Sequence, residues 1–518
     1  MKFEKGQILK NVGSSWFALG VNVLVGIFLS PYILHHLGDD AFGIWILIFS
    51  ITGYYGLFDL GIRSSIVRYV AKYAATNEED EVNRLVNTAL FSYSVIAVAT
   101  MIITLILTYC LDSIFHVSAE FAVTARWLLL MVGASVAINF PLGVFSGVLE
   151  GLQRFLLVNL VSVVSTLLRA VFIVVALQHG YGLLMVAFIT VALPLLGAVV
   201  KAIAVPYLLR LRIGLGYVSR STLRHIASYS GTTFLIIVAG RLRFKTDAIV
   251  VGTFISAAAV TYFTIGARLV DYASEVVQSM AQIFVPMSSQ SDAVGDLDVL
   301  RKIFVAGNRM CALVIFPITA ILIVLGKSVI EAWVGARYVA ASYPVMLILL
   351  IPSTLMIMQS ASSRVLFGMG KHQMLAKVTL AEGIANLVLS VVLVRKFGIV
   401  GDAVGTAIPL TLTVLFFLPQ HLCRLLKLRI ASYLRHSFLL PLILTMPLVC
   451  VLLLLRRWFI PHHYLQLAEQ VAIGLAVYGI GIGWAVLTKN AWQVHGLSYD
   501  ERDAEISLEA AEASRQEA

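Results

Sequence analysis

Apolar runs of about twenty residues or more recur along this chain from residue 11 to residue 487, and they decide what it can fold into. As a helix rising about 1.5 Å per residue, each is long enough to cross the roughly 30 Å of hydrocarbon in a bilayer. Lipid offers backbone groups no hydrogen-bond partner, so spanning segments must be helices or a closed barrel. These runs are too long, and alternate too little, to be barrel strands. The fold class is therefore an all-α polytopic membrane protein, and hydropathy divides it into about fourteen transmembrane helices. Composition agrees, with 59% of residues hydrophobic and 13% charged.

The loops between these runs carry the charge unevenly. Lys and Arg are about threefold more abundant on one side, which places both termini in the cytoplasm and requires an even number of spans. The net charge of +10 is mostly this bias, so it makes no case for a nucleic-acid partner. The opening MKFEKGQILKNVG leads into a run longer than a secretory leader and shows no small-residue cleavage site, as expected of a retained first helix. Cys110, Cys311, Cys423 and Cys450 lie in or at the ends of apolar runs without ligand spacing. Neither a disulfide framework nor a zinc site follows from them.

An internal duplication organises the spans. Gly147-Val-Leu-Glu-Gly-Leu-Gln-Arg154 corresponds to Arg364-Val-Leu-Phe-Gly-Met-Gly-Lys371, and His179-Gly-Tyr-Gly182 and Pro194 find counterparts in Lys396-Phe-Gly398 and Pro409. Two halves in the same orientation imply parallel repeats about an axis along the membrane normal. The expected domains are a six-helix lobe at 1–226, a pseudo-symmetric six-helix lobe at 227–432, two extra transmembrane helices at 433–490 and an acidic cytoplasmic tail at 491–518. Two basic linkers, Arg210–His225 and Arg424–His436, each follow a sixth span. Each reads as an interfacial amphipathic helix or as a solvated basic loop.

Charges inside the spans point to function. The stretch 234–252 is apolar yet carries Arg241, Arg243, Lys245 and Asp247. On a helix Arg241 and Lys245 share a face, as do Arg243 and Asp247. Such residues either snorkel to an interface or line a polar path, because a charge at mid-membrane costs a few kcal/mol or more. Further polar stripes follow helical spacing: Arg268, Asp271, Glu275, Gln278 and Gln282; Asn159, Ser162, Thr166 and Arg169; Glu382, Asn386 and Ser390; and Asp59 with Arg63. Pairs such as Asp59 with Arg63, Arg268 with Asp271 and Asp247 with Arg243 can serve as glue between helices. Glue fails to account for the basic set, because cations in the spans, including Lys201, Arg309 and Arg364, outnumber carboxylates. Surplus positive charge implies an anionic cargo, and Arg matches phosphate best.

No catalytic constellation is present in the sequence. A GxxxxGK[ST] phosphate loop and an HExxH metal motif are both missing, so neither a cofactor nor ATP hydrolysis is expected. Energy must then come from an ion gradient, the membrane potential or the cargo gradient. Asp59, Asp247, Asp271, Glu275 and Glu382 are the candidate proton or sodium handlers.

The segments Leu37-Gly-Asp-Asp-Ala-Phe-Gly-Ile-Trp45, Tyr55-Gly-Leu-Phe-Asp-Leu-Gly-Ile-Arg63 and Arg68-Tyr-Val-Ala71 resemble the start of a polysaccharide flippase. So do Phe145-Ser-Gly147 through Arg154, Thr246 through Gly252, and Tyr262 through Leu269. That family, within the multidrug/oligosaccharidyl-lipid/polysaccharide superfamily, exports O-antigen and related lipid-linked oligosaccharides. The resemblance covers most of residues 5–425 and rests on the order and spacing of short motifs. It implies two six-helix lobes around a central cavity in a bacterial inner membrane, working by alternating access. The cargo it implies is an undecaprenyl-diphosphate-linked oligosaccharide, moved by a monomer beside polymerase or glycosyltransferase partners. It further implies Arg63, Arg241, Lys245 and Arg268, then Arg169 and Arg364, as head-group contacts, with Asp59 and Asp247 organising them or coupling an ion.

Three other readings compete. A multidrug exporter of the same superfamily usually has twelve helices and an acidic cavity. A lipid II flippase shares fourteen helices and a cationic cavity, but the Asp59–Arg63 pattern and the Leu37–Trp45 loop look more like the polysaccharide branch. A scaffold that retains the fold without transport is disfavoured by the intact polar lining.

Overall fold

The computed structural model describes residues 5–76, 78–115, 117–224, 238–243, 245–461 and 463–488. The start of the expected seventh span (228–237), His462 and the acidic tail (491–518) lie outside the described residues. Every regular element among the described residues is helical. Eleven segments among them are long and apolar enough to cross a membrane. One of the eleven, Gln373–Leu425, is 53 residues long, and as one straight helix it would reach about 80 Å. Instead it turns back at Gly398, where φ is 60° and ψ −144°. The eighth expected span (257–286) is helical over Ala257–Ala281 but too polar to join the apolar set, because it carries Arg268, Asp271 and Glu275.

The chain divides into two compact units, Met1–Thr261 and Tyr262–Ala518. The first contains α1 (Lys5–Leu37), α2 (Asp39–Gly53), a 3-10 turn (Tyr54–Asp59), α3 (Ile62–Ala75) and α4 (Glu79–Ile114). It continues with α5 (Ala122–Gly151), α6 (Phe155–Gln178), α7 (Leu183–Ala204) and α8 (Asp247–Phe254). Helix α5 is the hub, packing against α2, α3, α4 and α7. One end of the core joins Leu47 and Ile48 to Leu128 and Leu129, and the other joins Ile66 and Val70 to Val86, Val144 and Val148. Small residues let the backbones meet: a Cβ on Gly133 would lie 2.3 Å from the Thr104 methyl. Helix α6 is tied to α1 by polar side chains. Asn159 donates to Ser14 and Ser15 at 2.9 and 3.0 Å, and Thr166 donates to Asn22 at 2.9 Å. For those two residues the stripe on α6 is glue.

The second unit takes α9 (Ala257–Ala281) from Tyr262 onward, then α10 (Phe284–Ala293), α11 (Leu297–Val334), α12 (Val339–Ile357) and α13 (Ser360–Gly368). It ends with α14 (Gln373–Leu412), α15 (Leu418–Leu425), α16 (Ile430–Leu434), α17 (Leu440–Trp458) and α18 (Tyr464–Leu487). The last two helices pack on α11 through Leu444, Leu448, Leu452 and Tyr478, and the Tyr478 hydroxyl donates to Leu313 O at 2.6 Å. In α14 the two arms press together at Gly401 and Gly405, whose added Cβ atoms would lie 2.2 Å from Leu393 O and 2.5 Å from Ser390 Oγ.

The two aligned motifs close their helices in the same way. Gln153 and Gly370 both adopt positive φ, 58° and 69°. Arg154 N bonds Leu149 O at 2.8 Å, and Lys371 N bonds Leu366 O at 3.0 Å, each the long hydrogen bond of a left-handed helix cap. Gly151 then receives α3, with Val67 O 2.9 Å from an added Cβ, as Gly368 receives α10, with Val285 O at 2.7 Å.

The first basic linker differs from an interfacial helix over residues 208–219. It is irregular from Arg210 to Ser219 except for a 3-10 turn at Leu215–Tyr217, and turns helical at Arg220. Asn83, Asn87 and Thr88, buried on α4, hold its backbone: Asn87 donates to Arg212 O and accepts from Gly214 N, both at 2.8 Å. Asn83 accepts from Arg212 N at 2.8 Å, and Thr88 accepts from Ser219 N at 3.1 Å. With its amides satisfied from the side, this segment has no need of helical hydrogen bonds.

Candidate functional site

In the first unit, the Asp59-Leu60-Gly61 motif is a break between helices. Leu60 and Gly61 both take left-handed conformations, φ 50° and 77°, which a residue with a Cβ adopts at a cost of about 1–2 kcal/mol. Asp59 and Arg63 therefore do not share a continuous helix face, and their side chains part. Asp59 accepts from the Tyr93 hydroxyl and, at 3.4 Å, from the backbone N–H of Arg63. The Arg63 guanidinium instead donates to Glu150 on α5 at 2.5 Å. Lys201 on α7 lies within electrostatic range of both Arg63 and Glu150. Glu150 and Tyr93 were not among the residues the sequence singled out for a role. Glu150 was within view, however, because it lies inside the duplicated motif and faces Phe367 in the other copy.

Arg241 sits beside this break. Its guanidinium lies where a side chain at Gly56 would go, with Nη2 2.8 Å from the added Cβ. The Tyr54 hydroxyl donates to Arg241 O at 3.4 Å and shares a hydrogen bond with Thr246 at 2.7 Å. The charged stretch is not one unbroken helix. Residues 238–243 are helical, Lys245 and Thr246 form a bend, and Asp247 opens α8. The bend leaves Lys245 N bonded to Arg241 O at 3.0 Å. It also moves Asp247 to a helix N-terminus, where a carboxylate is stabilised by the exposed backbone N–H groups. Lys245 and Asp247 are half-buried. Arg169 on α6 is also half-buried, and its buried Nε has no hydrogen-bond partner among the described residues.

In the second unit, α9 buries one face and exposes another. Phe263, Val270, Ala273 and Val277 are buried, whereas Arg268, Asp271 and Glu275 are exposed, as is Gln282 just beyond the helix. Gly266 fixes the buried face, with Ser342 O 2.5 Å from an added Cβ. Arg268 and Asp271 form a loose ion pair at 3.9 Å. Lipid cannot solvate such a face, so a membrane helix of this kind lines water, ligand or protein. Glu382 is set apart from it, only 5% exposed on α14. Its neighbour one turn on, Asn386, accepts from Ser390 and Thr406, each at 2.9 Å. Arg364 on α13 is half-buried near Cys311, and among the described residues its buried Nε also lacks a partner. Among the described residues no group of His, Cys, Asp and Glu is arranged to hold a metal ion.

Known proteins share both the sequence and the architecture. A Shigella flexneri protein named as an O-antigen transporter is 19% identical over 410 residues, 79% of this chain and 96% of its own length. The structure of the lipid II flippase MurJ in an inward closed conformation superposes with a TM-score of 0.69 at 15% identity, covering 94% of this chain and all of that one. An inward-facing multidrug resistance MATE transporter of the MOP superfamily gives 0.64 at 15% identity, over 80% of this chain and 95% of its own. At such identities these two structures establish the fold, an all-α multi-pass transporter fold. The profile of the family described as polysaccharide biosynthesis protein matches residues 8–292, more than half of the chain. The chain therefore belongs to the polysaccharide biosynthesis protein family.

Proposed function

We propose that the protein is a flippase that turns a polyprenyl-diphosphate-linked oligosaccharide from the cytoplasmic to the outer leaflet by alternating access. The observation that carries this reading is the pair Arg169 and Arg364, one in each unit. Arg169 lies in the apolar span Phe155–Gln178 and Arg364 on α13, outside the eleven spans, and in each a buried Nε finds no hydrogen-bond partner among the described residues. A cation held so in a membrane calls for an anionic partner, and a diphosphate offers oxygens at guanidinium spacing. Arg241, held over Gly56, and Lys245 after it add positive charge within the first unit. In this reading Arg268 contributes from the exposed face of α9, and the exposed Glu275 and Asp271 exchange a proton or cation as the cargo moves. Arg63, neutralised by Glu150, meets the cargo only by giving up that partner. Asp59, Asp247 and the buried Glu382 then serve as organising groups or ion carriers. Both termini face the cytoplasm of a bacterial inner membrane in this scheme, with the lobes at 1–226 and 227–432.

The test is leaflet sidedness in proteoliposomes, read with a head-group reagent that cannot cross the bilayer. Wild-type protein should expose a diphosphate-linked oligosaccharide in the far leaflet, and Arg241→Glu/Lys245→Glu should abolish this while still inserting. Unchanged transfer by the double variant sinks the assignment of these cations. Transfer of lipid II in preference to other glycans would reassign the cargo.

A further inference from the structure

The turn between α15 and α17 carries a set of charges that the transport site does not use. Arg424, Lys427, Arg429 and Arg435 are all exposed, and among the described residues none of their side chains has a hydrogen-bond or ion-pair partner. The sequence places no carboxylate anywhere between Asp402 and Glu469. These cations are therefore left without acidic neighbours along their own stretch of chain.

Their presentation is built into the backbone. Lys427 is left-handed, φ 52°, at a position where glycine is usual. Leu428 N bonds Cys423 O at 2.8 Å, and Arg301 Nε donates to Leu426 O at 2.8 Å, the Arg301 guanidinium being held in turn by Asp298. Leu426, Leu428 and Tyr433 are buried in the core of the unit, so the turn is anchored from within and its cations are thrown outward. The turn joins two segments apolar enough to span, Gln373–Leu425 and Ile430–Trp458, so it lies where hydrocarbon meets water. Ile430 and Leu434 are exposed alongside the cations.

The geometry points to a binding surface for anionic phospholipid head groups. The phosphodiesters of a lipid such as phosphatidylglycerol sit at the level of this turn and match its charge, while Ile430 and Leu434 reach the first carbons of the acyl chains. The occupant is a lipid of the bulk membrane, held from the side, and the assignment is independent of what the protein transports. Each cation near an anionic surface contributes about 1 kcal/mol, about fivefold in affinity.

Native mass spectrometry of the full chain in detergent, with added phosphatidylglycerol or phosphatidylcholine, tests this. Wild type should retain phosphatidylglycerol over phosphatidylcholine. The paired variants Arg424→Gln/Lys427→Gln and Arg429→Gln/Arg435→Gln should each lose tenfold or more of that affinity. Arg395→Gln/Lys396→Gln, at the Gly398 end of α14, should lose little. Raising salt from about 0.1 to about 1 M, which shortens the screening length from about 10 to 3 Å, should strip the lipid from wild type even if a glutamine variant fails to fold. Equal retention of both lipids, retention at high salt, or an equal loss in the Arg395/Lys396 variant overturns the proposal. Displacement of phosphatidylglycerol by equimolar polyprenyl diphosphate also overturns it, by giving the surface to the cargo.

Discussion

Replacing Arg63 with Gln should destabilise the protein more than replacing Glu150 with Gln, and the double replacement should recover part of the loss. The two side chains meet at 2.5 Å, the guanidinium 51% exposed and the carboxylate 18%. Two unit charges about 4 Å apart attract by about 4 kcal/mol at an effective dielectric constant of 20. With Arg63 half in solvent, screening and side-chain ordering reduce this to about 1–2 kcal/mol. Glu150→Gln leaves a guanidinium that water still reaches, and should cost about 1 kcal/mol. Arg63→Gln leaves a mostly covered carboxylate in the last turn of α5, the helix end that disfavours negative charge, and should cost about 2–3 kcal/mol. Lys201, within range of Glu150, keeps the figure from rising further. At about 2–4 °C per kcal/mol for a unit of this size, the thermal midpoint should fall by about 5–10 °C in Arg63→Gln and by about 2–4 °C in Glu150→Gln. Intrinsic-fluorescence melts of the two single variants and the double variant in one detergent complete the cycle. Additive losses, or a Glu150 variant less stable than the Arg63 variant, would refute the reasoning.

Gly56→Ala should keep wild-type stability but impair leaflet transfer as Arg241→Ala does, because the new methyl meets only the movable end of Arg241; equal transfer by wild type and Gly56→Ala would argue against a role for that guanidinium. In contrast, Gly401→Ala forces a methyl onto Leu393 O at 2.2 Å and should cost about 3 kcal/mol or more, visible as lost monodisperse protein on gel filtration. Asn87→Ala removes both the donor to Arg212 O and the acceptor from Gly214 N. It should cost about 1–3 kcal/mol and speed hydrogen exchange at the Gly214 amide, while unchanged exchange there would mean that the clamp is not what holds the linker.

Much of this protein was legible along the chain because membrane helices are specified locally. Twenty apolar residues and the absence of water fix a helix whatever it packs against, and the duplicated motif announced two equivalent helix ends, Gln153 and Gly370. Pairings of charges were less legible. Helical spacing suggested Asp59 with Arg63, but two left-handed residues intervene and send Arg63 to Glu150, 87 positions away. The same spacing on the charged stretch overlooked the bend at Lys245–Thr246. Such breaks depend on one or two dihedral angles, which hydropathy does not register.

The sequence by itself determined the class of the protein, the order of its helices and the surplus of cations, since each follows from composition and spacing within one segment. Only the tertiary structure decided which of those cations meet a carboxylate and which keep a buried nitrogen without a partner among the described residues. Arg63 has Glu150, whereas a buried nitrogen of Arg169 and of Arg364 finds no partner among the described residues. That difference rests on which helix lies across from each guanidinium, and a partner many turns away leaves no mark on local pattern. The physical reason is range: a helix is fixed by hydrogen bonds four residues long, and an ion pair by whatever the packing of the bundle brings within about 4 Å.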